Sequence, residues 1–122
     1  MCIRDRPYVI EYNAELPKKF AAFPQYGYPK AAEKYAEIAK FLGLPASTTD
    51  EGVKSLIEAI KNLMKELNLP LTLKEAGINK EEFEKQIMEM ADIAFNDQCT
   101  GSNPRMPLVS EIAEIYRKSY GE

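Results

Sequence analysis

With 122 residues, 45% of them hydrophobic and 29% charged, the chain has the composition of about one ordinary globular domain with a modest core. Sixteen basic and nineteen acidic residues leave a formal charge of -3, and the two signs are interleaved rather than gathered into blocks, which argues against a nucleic-acid or membrane-surface partner. No apolar run approaches the roughly 20 residues of a bilayer span, and MCIRDRPYVI carries neither a long apolar region nor a small-residue cleavage site, so the expected location is the cytoplasm.

Residues 1–6, MCIRDR, read as a short polar leader that is not native to the rest of the chain, which leaves Cys2 without meaning and makes 7–122 the domain proper. PYVIEYN has the look of the last two turns of a helix; Val9, Ile10 and Tyr12 are apolar but too few to dock it alone. From Ala14 to Lys30 runs an aromatic and proline-rich connection in which residues 16 to 23 can form one short helix before Pro24 ends it. Its Phe20, Phe23, Tyr26 and Tyr28 either cover the edge of this domain's own core or face a neighbouring domain.

AAEKYAEIAKFLG is amphipathic, with Tyr35, Ile38, Ala39 and Leu42 at helical spacing and Gly43 then Pro45 closing it. STTD next offers N-caps for a longer helix whose stripe is Val53, Leu56, Ile57, Ile60, Leu63, Met64 and Leu67, stopped by Asn68 and Pro70. Thr72 with Glu75 fits a capping box over a single turn ending at Gly77. Asn79 with Glu82 opens a third helix with Phe83, Ile87, Met90, Ala91, Ala94 and Phe95 on its inner face, and a last helix from about Leu108 carries Val109, Ile112, Ile115 and Tyr116. No stretch alternates with period two for long enough to be a strand, so the expected fold is all-α, a largely antiparallel helical bundle. Met64 and Met90 lie on apolar stripes as core fillers, while Met88 has no clear assignment.

Histidine is absent, so no imidazole of this chain can serve as general base, proton shuttle or zinc ligand. Cys2 and Cys99 form no CxxC or CxxxC spacing and read as free thiols. Asp50, Glu51 and the other carboxylates at helix starts read as caps and solvated charges rather than cation ligands.

The helical rhythm breaks at NDQCTGSNPRMPLV, residues 96–109. Asn96 and Asp97 can cap the outgoing helix and fold back on backbone amides, Gly101 permits a positive φ, Asn103 before Pro104 favours an extended turn, and Arg105 offers a planar five-donor fork. Such a loop is built to be rigid. Arg105 either pairs with a carboxylate or helix-end carbonyls to join two helices, or binds substrate. Cys99 alone is a weak nucleophile signal, and a lone thiol is more often a small buried hydrophobe.

FNDQCTGSNPRMPLVSEIAEIY resembles the C-terminal signature of iron-dependent alcohol dehydrogenases, and together with PYVIEYNAELPKKFAAFPQYGYPKAAEKYAEIAKFLG it resembles the alcohol dehydrogenase half of bifunctional aldehyde-alcohol dehydrogenases. The similarity runs from about Pro7 to the C-terminus. It implies part of the C-terminal all-helical domain of an iron-dependent dehydroquinate synthase-like/alcohol dehydrogenase fold. The family's iron ligands, an aspartate and three histidines, and the NAD-binding glycine-rich segment would precede the point where this sequence begins, with the metal in the cleft between the helical domain and a nucleotide-binding domain, which is then the chain's first partner. Asp97, Cys99, Asn103 and Arg105 match the family's loop residues, whereas Asn96 stands for a common aspartate and Met106 for a common tyrosine. The resemblance implies that Cys99 lines the substrate channel without a covalent or acid/base role, and that Asp97, Asn103 and Arg105 shape the loop at the cleft. No catalytic, cofactor-binding or metal-binding residue is assigned to this chain, which is expected to bind neither Fe(2+) nor NAD by itself and to be inactive alone. In the intact enzyme the resemblance implies reversible reduction of an aldehyde, acetaldehyde foremost, by NADH at iron, and a homo-oligomer or filament as the assembly. The alternatives are a free-standing helical protein-interaction module and, more remotely, a thiol-dependent enzyme.

Overall fold

In the computed structural model, which describes residues 5–16 and 30–121, five α-helices and one short 3-10 turn account for the regular structure, and no strand occurs among the described residues. The helices are α1 (Arg6–Ala14), α2 (Ala31–Phe41), α3 (Thr49–Glu66), α4 (Lys80–Phe95) and α5 (Val109–Tyr120). The all-α expectation holds. The short helix expected over 16 to 23, and Phe20, Phe23, Tyr26 and Tyr28 with it, fall outside the described residues apart from the exposed Leu16.

Local chemistry sets the helix ends. The Thr48 hydroxyl accepts from the Glu51 amide at 3.1 Å, and the Glu51 carboxylate accepts from the Ser47 amide at 2.6 Å, which holds its carboxyl below the ordinary value. Asn79 caps α4 through Oδ1, which accepts from the amides of Glu81 and Glu82. Between α3 and α4 the expected single turn is present: Thr72 accepts from the Glu75 amide, and Glu75 reaches back to the amide of Leu71. Asn68 ends α3 at φ 53, the left-handed conformation that asparagine tolerates better than other non-glycine residues.

Two helix pairs make up the packing, and each has its own core. In the first, Ala39 of α2, Leu56 of α3 and Ala46 between them are buried, with Tyr35, Leu44 and Ile60 packed around. The face of α2 differs from the expected stripe. Ala39 is buried as expected, but Ile38 and Leu42 are exposed, and Ala31 and Ala36, outside that stripe, are buried instead. The reason is proximity: a Cβ built on Gly52 would stand 2.7 Å from the Cβ and 2.8 Å from the Cα of Ala36, a separation that only small residues allow. On α3 the outer end of the stripe is likewise open, with Leu63 and Leu67 exposed while Met64 is buried.

The second pair buries Phe83, Ile87 and Ala91 of α4 against Ile112, Ala113 and Tyr120 of α5. Phe83 at the start of α4 stacks on Tyr120 at the end of α5 with centroids 4.8 Å apart, so the two helices run antiparallel. Met90 is half-buried and Met88 exposed. The segment 71–77 is tied to this pair, because the Leu73 amide donates to the carbonyl of the fully buried Ser119 at 2.9 Å.

α1 bridges the two pairs, packing on α2, α3 and α5. Its buried residues are Pro7, Ile10 and Asn13, a thin apolar contact that polar ties reinforce. Lys118 of α5 meets Glu11 at 3.0 Å, and Lys61 of α3 lies over the Tyr8 ring at 5.5 Å.

Candidate functional site

The loop between α4 and α5 is held from inside by its own side chains. Asp97 Oδ1 accepts from the Cys99 amide at 2.7 Å, the Thr100 hydroxyl donates to the carbonyl of Ala94 at 2.6 Å, and residues Thr100–Ser102 make one 3-10 turn. Asn103 then turns extended, φ -66 and ψ 138, as a residue before proline should. Gly101 departs from expectation. Its φ is not positive, and a Cβ there would meet nothing within 4 Å, so this backbone makes no demand for glycine. The Asn96 amide nitrogen donates to the carbonyl of Asp92 at 2.9 Å, closing α4.

From outside, the loop is fastened to α1. Arg105 is 6% exposed and lays its guanidinium 3.8 Å from the centre of the Tyr12 ring. One Nη donates to the Tyr12 carbonyl at 2.7 Å and to Glu15 at 3.2 Å, and the other to Glu111 of α5 at 3.3 Å. Of the two roles left open for Arg105, joining helices is the one its contacts describe. Glu111 is a hub: it also accepts from the Tyr12 hydroxyl at 2.8 Å and from the Leu108 amide at 2.7 Å, the latter sealing the start of α5. Burial, and then the hydrogen bond to Glu111, raise the Tyr12 pKa well above its usual value, and the Arg105 charge opposes the rise. Asn13 and Asn103 complete the join through a reciprocal pair of side-chain amides, at 2.8 and 3.1 Å, while Asn103 also donates to the Arg105 carbonyl at 2.6 Å.

Between α1, α4, α5 and this loop lies a concavity of about 750 Å³. Asp97, Cys99 and Asn103 line it together, whereas Arg105 does not and sits behind the wall. Cys99 is exposed, so the reading of a lone thiol as a small buried hydrophobe is corrected. The rest of the lining is largely apolar, with Val9, Ile93, Ile112, Ile115 and Tyr116. Asp5, inside the segment read as a leader, is buried at 4% exposure and lines the same space. Burial, followed by the Asp5 charge, raises the Tyr116 pKa.

The residues that sequence reasoning passed over are Tyr12, Asn13 and Glu111. A glutamate three positions after Leu108, the residue that caps the start of α5, was a local hint for Glu111. For Asn13, at the end of a nine-residue helix and 90 positions from its partner, no local signal exists. As for metal, the chain has no histidine, and no group of three or more Cys, Asp or Glu side chains that could hold an ion occurs among the described residues. The donor set here does not fit an iron centre.

Residues 6–120 match the family model for the C-terminal region of Fe-containing alcohol dehydrogenases. The chain belongs to the iron-containing alcohol dehydrogenase family. It is similar to the aldehyde-alcohol dehydrogenase of Streptococcus pneumoniae, with 42% identity over 93% of the chain, to that of Clostridium acetobutylicum, with 45% over 88%, and to the bifunctional aldehyde-alcohol dehydrogenase of Escherichia coli, with 42% over 92%. The chain spans 13% of the length of each of these relatives. Within this alcohol dehydrogenase segment, no described helix is long and apolar enough to cross a membrane.

Proposed function

We propose that residues 7–122 form part of the helical domain of an alcohol dehydrogenase that interconverts an aldehyde and an alcohol, acetaldehyde and ethanol foremost, with iron and NAD, and that this segment supplies one wall of the active-site cleft. Iron, when bound, would polarise the carbonyl and stabilise the alkoxide. Its ligands and the NAD cradle belong, in this reading, to the part of the enzyme that precedes this segment. The residues of this segment bind, orient and exclude water: Cys99 faces the substrate channel as a wall, Asp97 and Asn103 hold the loop in shape, and Arg105 anchors it from behind. The supporting observation is that Asp97, Cys99 and Asn103 share one concavity whose remaining lining is largely apolar, while Arg105 is withdrawn into contacts with α1 and α5. Large apolar side chains left open, Phe41 at 90% and Ile93 at 65% exposure, suit a segment that meets more of its own enzyme.

The test is a chimera in which residues 7–121 replace the matching segment of the Escherichia coli relative. Iron-dependent oxidation of NADH by acetaldehyde is expected. Cys99→Trp, which narrows the channel, should raise KM for the aldehyde at least fivefold and leave KM for NADH within twofold. A folded chimera that turns over no aldehyde, or one indifferent to tryptophan at position 99, overturns the proposal. The 122-residue chain alone should neither bind iron stoichiometrically nor oxidise ethanol.

A further inference from the structure

We infer that Asn13 is a positioning residue for the loop that carries Asp97 and Cys99, acting from α1 through the side chain of Asn103; the inference rests on the reading of that loop as a wall of the substrate cleft. Asn13 is 4% exposed, on the inner side of a helix that lies 90 positions away in sequence. Its amide nitrogen donates to Asn103 Oδ1 at 3.1 Å, and its amide oxygen accepts from Asn103 Nδ2 at 2.8 Å, so neither side chain can turn without breaking two bonds. The Asn13 nitrogen also lies 3.4 Å from the Tyr35 hydroxyl of α2, which fixes the amide from a third direction.

Asn103 passes this constraint on. Its Nδ2 donates to the Arg105 carbonyl at 2.6 Å, its backbone amide donates to the carbonyl of Thr100 at 3.1 Å, and Thr100 comes directly after Cys99. Arg105 grips the Tyr12 carbonyl, one residue before Asn13, so the loop meets the last turn of α1 at two adjacent points. α1 contributes Val9 and Tyr12 to the lining of the concavity, and the loop contributes Cys99 and Asn103. The amide pair therefore fixes two of the lining elements to each other. No residue of the pair need touch the reacting atoms for this to govern the fit of a substrate.

The experiment is residue-resolved amide hydrogen exchange by NMR on the 122-residue chain, comparing the parent with Asn13→Ala, Asn103→Ala and the double variant. The amides of Cys99, Thr100, Ser102 and Asn103 all donate to acceptors inside the loop, so their exchange reports its local opening. Asn13→Ala should accelerate these four by about five- to thirtyfold, the factor that one or two net hydrogen bonds are worth. Interior amides of α3 and α4 should stay within twofold. The double variant should be no faster than the faster single one, because both act through one pair. Unchanged loop amides in Asn13→Ala, acceleration spread evenly over all helices, or single effects that multiply in the double variant would each overturn the inference. The measurement reads no turnover, so it can fail while the catalytic reading survives, and the converse holds as well.

Discussion

Arg105→Ala should remove about 3 kcal/mol of folding stability, a large part of the roughly 6–18 kcal/mol that a chain of this length has in all. The dominant loss is the 2.7 Å bond from the charged guanidinium to the Tyr12 carbonyl, a class of bond worth about 1.5–3 kcal/mol. Stacking on the Tyr12 ring at 3.8 Å adds about 0.5–1 kcal/mol. Glu15 adds little, because it is 57% exposed and its ion pair is screened by water. Glu111 is not stranded by the change, since it keeps the Tyr12 hydroxyl and the Leu108 amide, and this keeps the loss below the roughly 3–5 kcal/mol that stranding a buried charge costs. Urea unfolding followed by far-ultraviolet circular dichroism measures it. At an m-value of about 1.5 kcal/mol/M the midpoint should fall by about 2 M with m unchanged. Arg105→Lys keeps the charge but loses the planar fork that spans Tyr12, Glu15 and Glu111, and should recover no more than half of the difference. A lysine variant equal to the parent, or an alanine variant within about 0.5 kcal/mol of it, would refute the reasoning that geometry rather than charge joins α1 to the loop.

Alkaline pH should weaken the fold. The folded pKa values of Tyr8, Tyr12 and Tyr116 are all raised above 10.0, so the stability that their neutral forms contribute is whole below pH 10 and drains away as pH climbs from there toward the folded values. Urea midpoints measured across that range should decline less steeply in Tyr12→Phe than in the parent; equal slopes would remove Tyr12 from the account. Gly52→Ala should destabilise by about 1–3 kcal/mol, despite the better helix propensity of alanine, because its methyl would press on the backbone of Ala36. Gly101→Ala, facing open space at a non-positive φ, should be neutral or stabilise by up to about 1 kcal/mol in the same assay. A destabilised Gly101→Ala would mean that glycine serves the loop in some way its φ does not disclose.

Much of the fold was legible because it depends on neighbours a few positions apart. Thr48 with Glu51, Thr72 with Glu75, and Asn79 cap turns that the sequence announces locally, and the run Phe83, Ile87, Ala91 is both periodic and buried. The face of α2 was misread for a physical reason. Periodicity ranks large apolar residues above small ones, yet the contact with α3 is so close that Ala36 joins Ala39 on the inside while Ile38 and Leu42 are left in solvent. At the candidate site, the loop's own turns followed from Asp97 and Asn103, and the anchoring role of Arg105 was one of two open possibilities. What could not be read was where Arg105 would anchor. Tyr12 and Glu15 are 93 and 90 positions from Arg105, and Asn13 is 90 from Asn103; such pairing is created by the tertiary fold, not by any local spacing. The resemblance in the loop, by contrast, was legible at once, because the whole motif is contiguous.

The crossing of α2 and α3 leaves a rule for what can be exchanged there. At Ala36 and Gly52 the helices touch without room for one further carbon, and part of the obstruction is the main chain of α2 itself, so trimming the side chain at 36 does not open space at 52. Glycine at 36 with alanine at 52 would remove the 2.7 Å contact but keep those at 2.8 Å with the Cα of residue 36 and 3.2 Å with the Cβ of Ala46, so the pair should stay less stable than the present arrangement. Position 52 should therefore refuse any side chain, whatever its neighbour across the crossing becomes.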